Sequence, residues 1–77
     1  MDIKSMRCFL AVAETLNFSR AAESIYLSQP ALSLRINAME DELGVKLFLR
    51  TRQQVYLTAA GFALLPEIQE ILARIDA

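Results

Sequence analysis

Lys46, Arg50 and Arg52 fall within residues 43–58, a stretch without a single Asp or Glu, and directly before it Glu40, Asp41 and Glu42 form an acidic knot. Residues 1–23 balance their charges, residues 24–39 hold only Arg35, and the segment from residue 59 onward is acidic again. A net charge of −1 therefore hides strong local fields, and binding follows the field at the contacting face rather than the total. An acid-free strip of cations suits a nucleic acid. Other chemistries lack their groups. There is no histidine and one cysteine, so no zinc site can form from the usual ligands. No nucleophile–base pair or Gly-rich phosphate loop can be assembled either, and the chain holds only two glycines. We expect no enzyme, no cofactor and no metal. Cys8 sits in an apolar run, where a small buried thiol packs well.

These cations have to be held by a small scaffold. The chain is 77 residues long and 55% hydrophobic, which allows one domain with one core. No apolar run approaches the ~20 residues that span a bilayer, and no basic n-region or cleavage site marks a signal peptide. A cytoplasmic protein with no membrane partner is the expectation.

The apolar spacing reads as helices with one break. Ile3, Met6, Phe9, Leu10, Ala13 and Leu16 recur at three and four residues, giving an amphipathic helix over 2–16. Asn17-Phe18-Ser19 interrupts it, and Ser19 is a suitable N-cap for a short second helix. Ser28 caps a third, with Pro30 tolerated in its first turn and Gly44 supplying the left-handed position that ends it. Leu32, Ile36, Met39 and Leu43 form its expected buried stripe. Leu47-Phe48-Leu49 and Val55-Tyr56-Leu57 are β-prone runs around a polar tip, which predicts a hairpin. Thr58 can cap a last helix, whose stripe is Leu64, Leu65, Ile68, Ile71, Leu72 and Ile75, with Pro66 expected to bend or restart it. Three helices, a hairpin and a long helix make a mostly α winged helix-turn-helix. We divide it into residues 1–58 and a linker or dimerisation helix over 59–77.

The run from Phe18 to Ser33 (Phe-Ser-Arg-Ala-Ala-Glu-Ser-Ile-Tyr-Leu-Ser-Gln-Pro-Ala-Leu-Ser) resembles the helix-turn-helix of LysR-type transcriptional regulators. The resemblance continues through Ile36, Met39-Glu40, Glu42-Leu43-Gly44-Val45, Leu47-Phe48, Arg50 and Leu57-Thr58-Ala59-Ala60-Gly61. It implies a bacterial, sequence-specific binder of double-stranded DNA, with helix 29–43 as the recognition helix. In such proteins a larger domain follows and takes the small-molecule effector, so this chain would be a fragment.

The resemblance also implies contacts. Gln29, Pro30 and Ser33 match positions that enter the major groove, where a glutamine can read adenine and a proline can touch a thymine methyl. Ser28 and Arg20 match positions on backbone phosphates, while Arg50 and Arg52 belong to the wing, near a phosphate or the minor groove. Each has a plainer alternative as a cap, a solvated residue or a packed stem. Two positions depart from the family. Leu34 stands where an arginine is common, pointing away from the core stripe and toward the groove, where it could meet a thymine methyl. Its neighbour Arg35 either reaches a phosphate or pairs with an acid. Gln53 replaces a basic wing tip, which leaves Arg52 as the substitute.

The last helix carries a second expectation. In the family it pairs with its symmetry mate, so Leu64, Leu65, Ile68, Ile71, Leu72 and Ile75 would form a two-fold dimer on a palindromic or interrupted-palindromic site. The alternative is a helix folded back on its own domain. The rival function is a winged helix used for protein contact, since folds are reused.

Overall fold

Asp2 opens the first helix, α1 (Ile3–Thr15), by accepting a hydrogen bond from the Ser5 N–H at 2.8 Å. In the computed structural model, which describes residues 1–77, three more helices and a hairpin follow: α2 (Phe18–Ser24), α3 (Gln29–Leu43), β1 (Phe48–Arg50), β2 (Val55–Leu57) and α4 (Ala59–Ile75). The Ser5 backbone N–H, helped by Arg35, lowers the Asp2 carboxyl from its ordinary 3.8 to about 2. A carboxylate depressed on folding contributes stability that is present above its unfolded value and is lost as pH falls through the folded one. Thermal melts should therefore show a decline between pH 3.8 and about 2 that Asp2→Asn flattens. An identical acid slope in that variant would contradict it.

Leu16 ends α1 in the left-handed region at φ 51°, and Asn17 turns back to extended backbone. The cap of α2 is Asn17 rather than the expected Ser19: its Oδ1 accepts from the Arg20 N–H at 3.0 Å. The helix can start two residues early because Phe18 is then buried in the core. Ser28 and Thr58 cap α3 and α4 as expected, and Gly44 closes α3 at φ 73°. Pro66 neither ends nor restarts α4, which is continuous across it. The carbonyl that loses its donor is that of Phe62, four residues back, and both residues are exposed, so water can satisfy it.

α1 packs against α2, α3 and α4, and their shared core contains Cys8, Phe9, Val12, Ala21, Leu32, Ile36, Met39, Leu47, Phe48, Ile68 and Leu72. Cys8 is fully buried, and burial pushes its thiol up, which makes it a packed and unreactive group. Leu43 leaves the expected stripe and is 40% exposed, because the last turn of α3 runs past the core and residues 41–46 are all exposed. A charged residue sits inside instead. Glu40 is 5% exposed, and its Oε2 accepts from the N–H groups of Leu47 at 2.7 Å and Phe48 at 3.2 Å. This carboxylate ties α3 to the root of the hairpin.

The two strands pair antiparallel, Phe48 opposite Leu57 and Arg50 opposite Val55. The first turn of α4 lies directly on the hairpin. A Cβ at Gly61 would come within 2.4 Å of the Leu47 carbonyl oxygen, so only glycine admits this approach. α4 then runs back along α1, and Arg7 clamps its end with two hydrogen bonds to Asp76, at 2.9 and 2.7 Å. Ile68 and Leu72 are thereby buried in the chain's own core. This corrects the expectation that they face a second copy: the folded-back helix has already covered them. Leu64 and Leu65 are half-buried against the same core, and Ile71 and Ile75 stay exposed.

Candidate nucleic-acid interface

α3 presents its first turns outward. The Ser28 Oγ accepts from the Ala31 N–H at 3.2 Å as the cap, which leaves its hydroxyl hydrogen free to donate elsewhere. Gln29 and Pro30 are exposed, and the Gln29 Nε2 donates to the Ser33 Oγ at 3.1 Å. That bond pre-orders the amide along the helix. Leu34 is 70% exposed, on the side opposite Leu32 and Ile36. Asn37, one turn beyond Ser33, lies exposed on this same face. Asn37 is not among the contacts expected from the sequence, although about 100° per residue places it beside Ser33. Asp41 continues the face as an acid, marking where a polyanion would no longer be welcome.

The turn before α3 is tight. Tyr26 adopts φ 58° and is 95% exposed, which brings Leu27 back to bond the Ala22 carbonyl at 2.9 Å. The wing lies beside the start of α3. Its tip is closed by the Thr51 N–H donating to the Gln54 carbonyl at 2.8 Å, and the Thr51 Oγ1 accepts from Gln53 and Gln54. Arg52 and Gln53 project from this tip. Arg50 lies over the ring of Phe18, its guanidinium carbon 3.7 Å from the centroid. A hollow of about 270 Å³ is lined by Ser19, Gln29, Arg50 and Arg52 among others, so the wing and the start of α3 share one concave face.

The ion pairs sort the cations. Arg7, Arg35, Lys46 and Arg74 each have a carboxylate within 4.0 Å. Arg35 takes Asp2, at 3.4 Å, which answers whether it pairs with an acid. Lys4, on α1, and Arg20, Arg50 and Arg52 have no such partner. Thus two of the three acid-free cations of the hairpin region stay free, while Lys46 lies 3.8 Å from Glu40.

A family model described as bacterial regulatory helix-turn-helix protein, lysR family, matches residues 3–62. The chain belongs to the LysR family. Its family is one of regulators rather than enzymes. Over all 77 residues it is 53% identical to the HTH-type transcriptional regulator IlvR of Caulobacter vibrioides, covering 26% of that protein. It is 48% identical over 73 residues to the Escherichia coli regulator HdfR, again spanning 26% of it. The chain thus spans about a quarter of the length of these curated relatives. Among solved structures, the CbnR DBD–DNA complex superposes with a TM-score of 0.93 at 37% identity, covering 99% of this chain and 87% of that one. The BenM DBD/catB site 1 DNA complex gives 0.94 at 33%, covering 99% and 85%. Full-length OxyR of Pseudomonas aeruginosa gives 0.93 at 36%, covering 99% of this LysR-family chain and 26% of OxyR. The winged helix-turn-helix read from the sequence is the fold these proteins share. No helix is long and apolar enough to cross a membrane.

Proposed function

We propose that this LysR-family domain binds double-stranded DNA sequence-specifically as the N-terminal module of a bacterial transcription regulator. α3 enters the major groove, with Gln29, Pro30, Ser33 and Leu34 on base edges. Arg20, Ser28, Arg50 and Arg52 hold backbone phosphates, with the wing on the backbone or in the minor groove. The observation that carries this reading is that Arg50 and Arg52, two arginines without acidic partners, line one hollow with Gln29 at the exposed start of α3. Two similar solved structures are described as DNA complexes, which supports it. Two copies joined through α4 would present two recognition helices to an interrupted palindrome. The regulator's small-molecule effector would be taken outside residues 1–77, and the domain itself needs no cofactor.

Selection of binding sites from random duplex DNA tests the reading directly. On the best site, Gln29→Ala should lose about 1–3 kcal/mol, and on a scrambled duplex almost nothing. An equal loss on both would make Gln29 a phosphate contact. No duplex binding at low salt by the unmodified chain would return the fold to protein contact.

Leu34 makes a separate prediction. Burial does not explain an apolar side chain here, and a thymine methyl is the contact we propose for it, the alternative being an exposed leucine with no role. Replacing thymine by uracil at one symmetric pair of positions should weaken binding by the unmodified protein and leave Leu34→Ala unaffected. If no uracil substitution weakens the unmodified protein, Leu34 reads no base.

A further inference from the structure

Arg50 ends β1, and what holds its guanidinium is a ring rather than an acid. The Phe18 ring beneath it is itself packed into the core. It is buried at the start of α2 and meets Phe48 edge-on with centroids 6.0 Å apart, and Phe48 packs on Phe9 at 5.4 Å. Three contacting rings, one pair edge-on and one tilted, therefore run from the core of α1 to the underside of a wing arginine. A guanidinium lying on a ring engages only its flat face, so its five N–H donors still point outward in their plane. The hollow beside it brings this charge next to Ser19 and Gln29.

We propose that Phe18 is a positioning residue for DNA binding: its ring holds the Arg50 guanidinium oriented toward a backbone phosphate alongside the recognition helix. The inference rests on the DNA-binding reading above. A long side chain ordinarily loses rotamer freedom when it is fixed at an interface, and the stack removes part of that loss before DNA arrives. It also fixes the wing relative to α2 and α3, so the phosphate and base contacts stay in register. Phe18 touches no DNA in this scheme and acts through Arg50.

The test is a double-mutant cycle on the duplex obtained by selection, comparing Phe18→Leu, Arg50→Ala and the double variant. Phe18→Leu should weaken binding about five-fold in the parent and by less than about two-fold when Arg50 is already alanine. A purely structural role for Phe18 would weaken binding equally in both backgrounds, and that result overturns the proposal while leaving DNA binding intact. If Arg50→Ala alone changes nothing, the wing arginine is away from the DNA and the proposal falls with that contact. Should Phe18→Leu melt the domain, pentafluorophenylalanine at position 18 keeps an aromatic ring of similar size while reversing its electrostatic face. The same cycle then applies, with the same two outcomes deciding.

Discussion

Glu40→Ala should destabilise the domain by about 3–5 kcal/mol, because it strips the buried partner from two backbone N–H groups. The carboxylate is 5% exposed and receives Leu47 and Phe48, whose side chains are themselves in the core. Without it, both donors stay out of water with nothing to bond. Against a typical total stability of about 5–15 kcal/mol this is severe, and it should lower the melting point by about 12 °C or more. Glu40→Gln keeps an acceptor oxygen in place and should lose clearly less than alanine does. Lys46→Ala should change stability by less than about 1 kcal/mol, since that ammonium is exposed and 3.8 Å away. The ordering alanine, then glutamine, then the lysine variant is the signature of a hydrogen-bonded clasp rather than an ion pair. Denaturant unfolding of the three variants checks it. An alanine variant within about 1 kcal/mol of the parent would show that water replaces the carboxylate at the hairpin root.

Glu40 also marks where the sequence stops being legible. Read along the chain, it belongs to an acidic knot with Asp41 and Glu42, and a carboxylate in such company is a solvated residue on any local rule. Only the return of the backbone at Leu47 and Phe48 gives it a reason to be buried, and that approach is tertiary. Ser28, Gly44 and Thr58 were readable because capping is chemistry between near neighbours. Asn17 and Ser19 were not separable that way. Both are good caps, and the burial of Phe18 between them decides for the first. Among the candidate contacts, the exposure of Gln29, Pro30 and Leu34 followed from helical periodicity, which also holds for the overlooked Asn37. The stack of Arg50 on Phe18 could not be read, since it joins a strand to a helix 32 residues away in the chain. The apolar stripe of α4 announced that something must cover it, but periodicity cannot say whether the cover is the same chain or another.

That ambiguity sets the second large effect. Ile71→Glu should turn the proposed dimer into a monomer without unfolding the domain, whereas Ile68→Glu or Leu72→Glu should unfold it. Ile68 and Leu72 are 1% and 3% exposed against α1, so a carboxylate at either place would be buried without a partner. Ile71 and Ile75 are 40% and 45% exposed. At about 100° per residue they fall within about 40° of half-buried Leu64, a narrow apolar edge beside the face already covered. A second α4 laid along that edge would bury it, and a charge at position 71 would stand in the contact. Losing the dimer removes the advantage of binding two half-sites at once, which is typically about 10²–10⁴-fold. Binding of Ile71→Glu to a two-half-site duplex should therefore collapse by that order, while its binding to one half-site and its melting point stay close to the parent's. Sedimentation equilibrium of the unmodified chain, free and on DNA, decides the premise. A monomer in both states would mean that α4 serves only its own core and that the exposed edge at Ile71 and Ile75 has no second copy to meet.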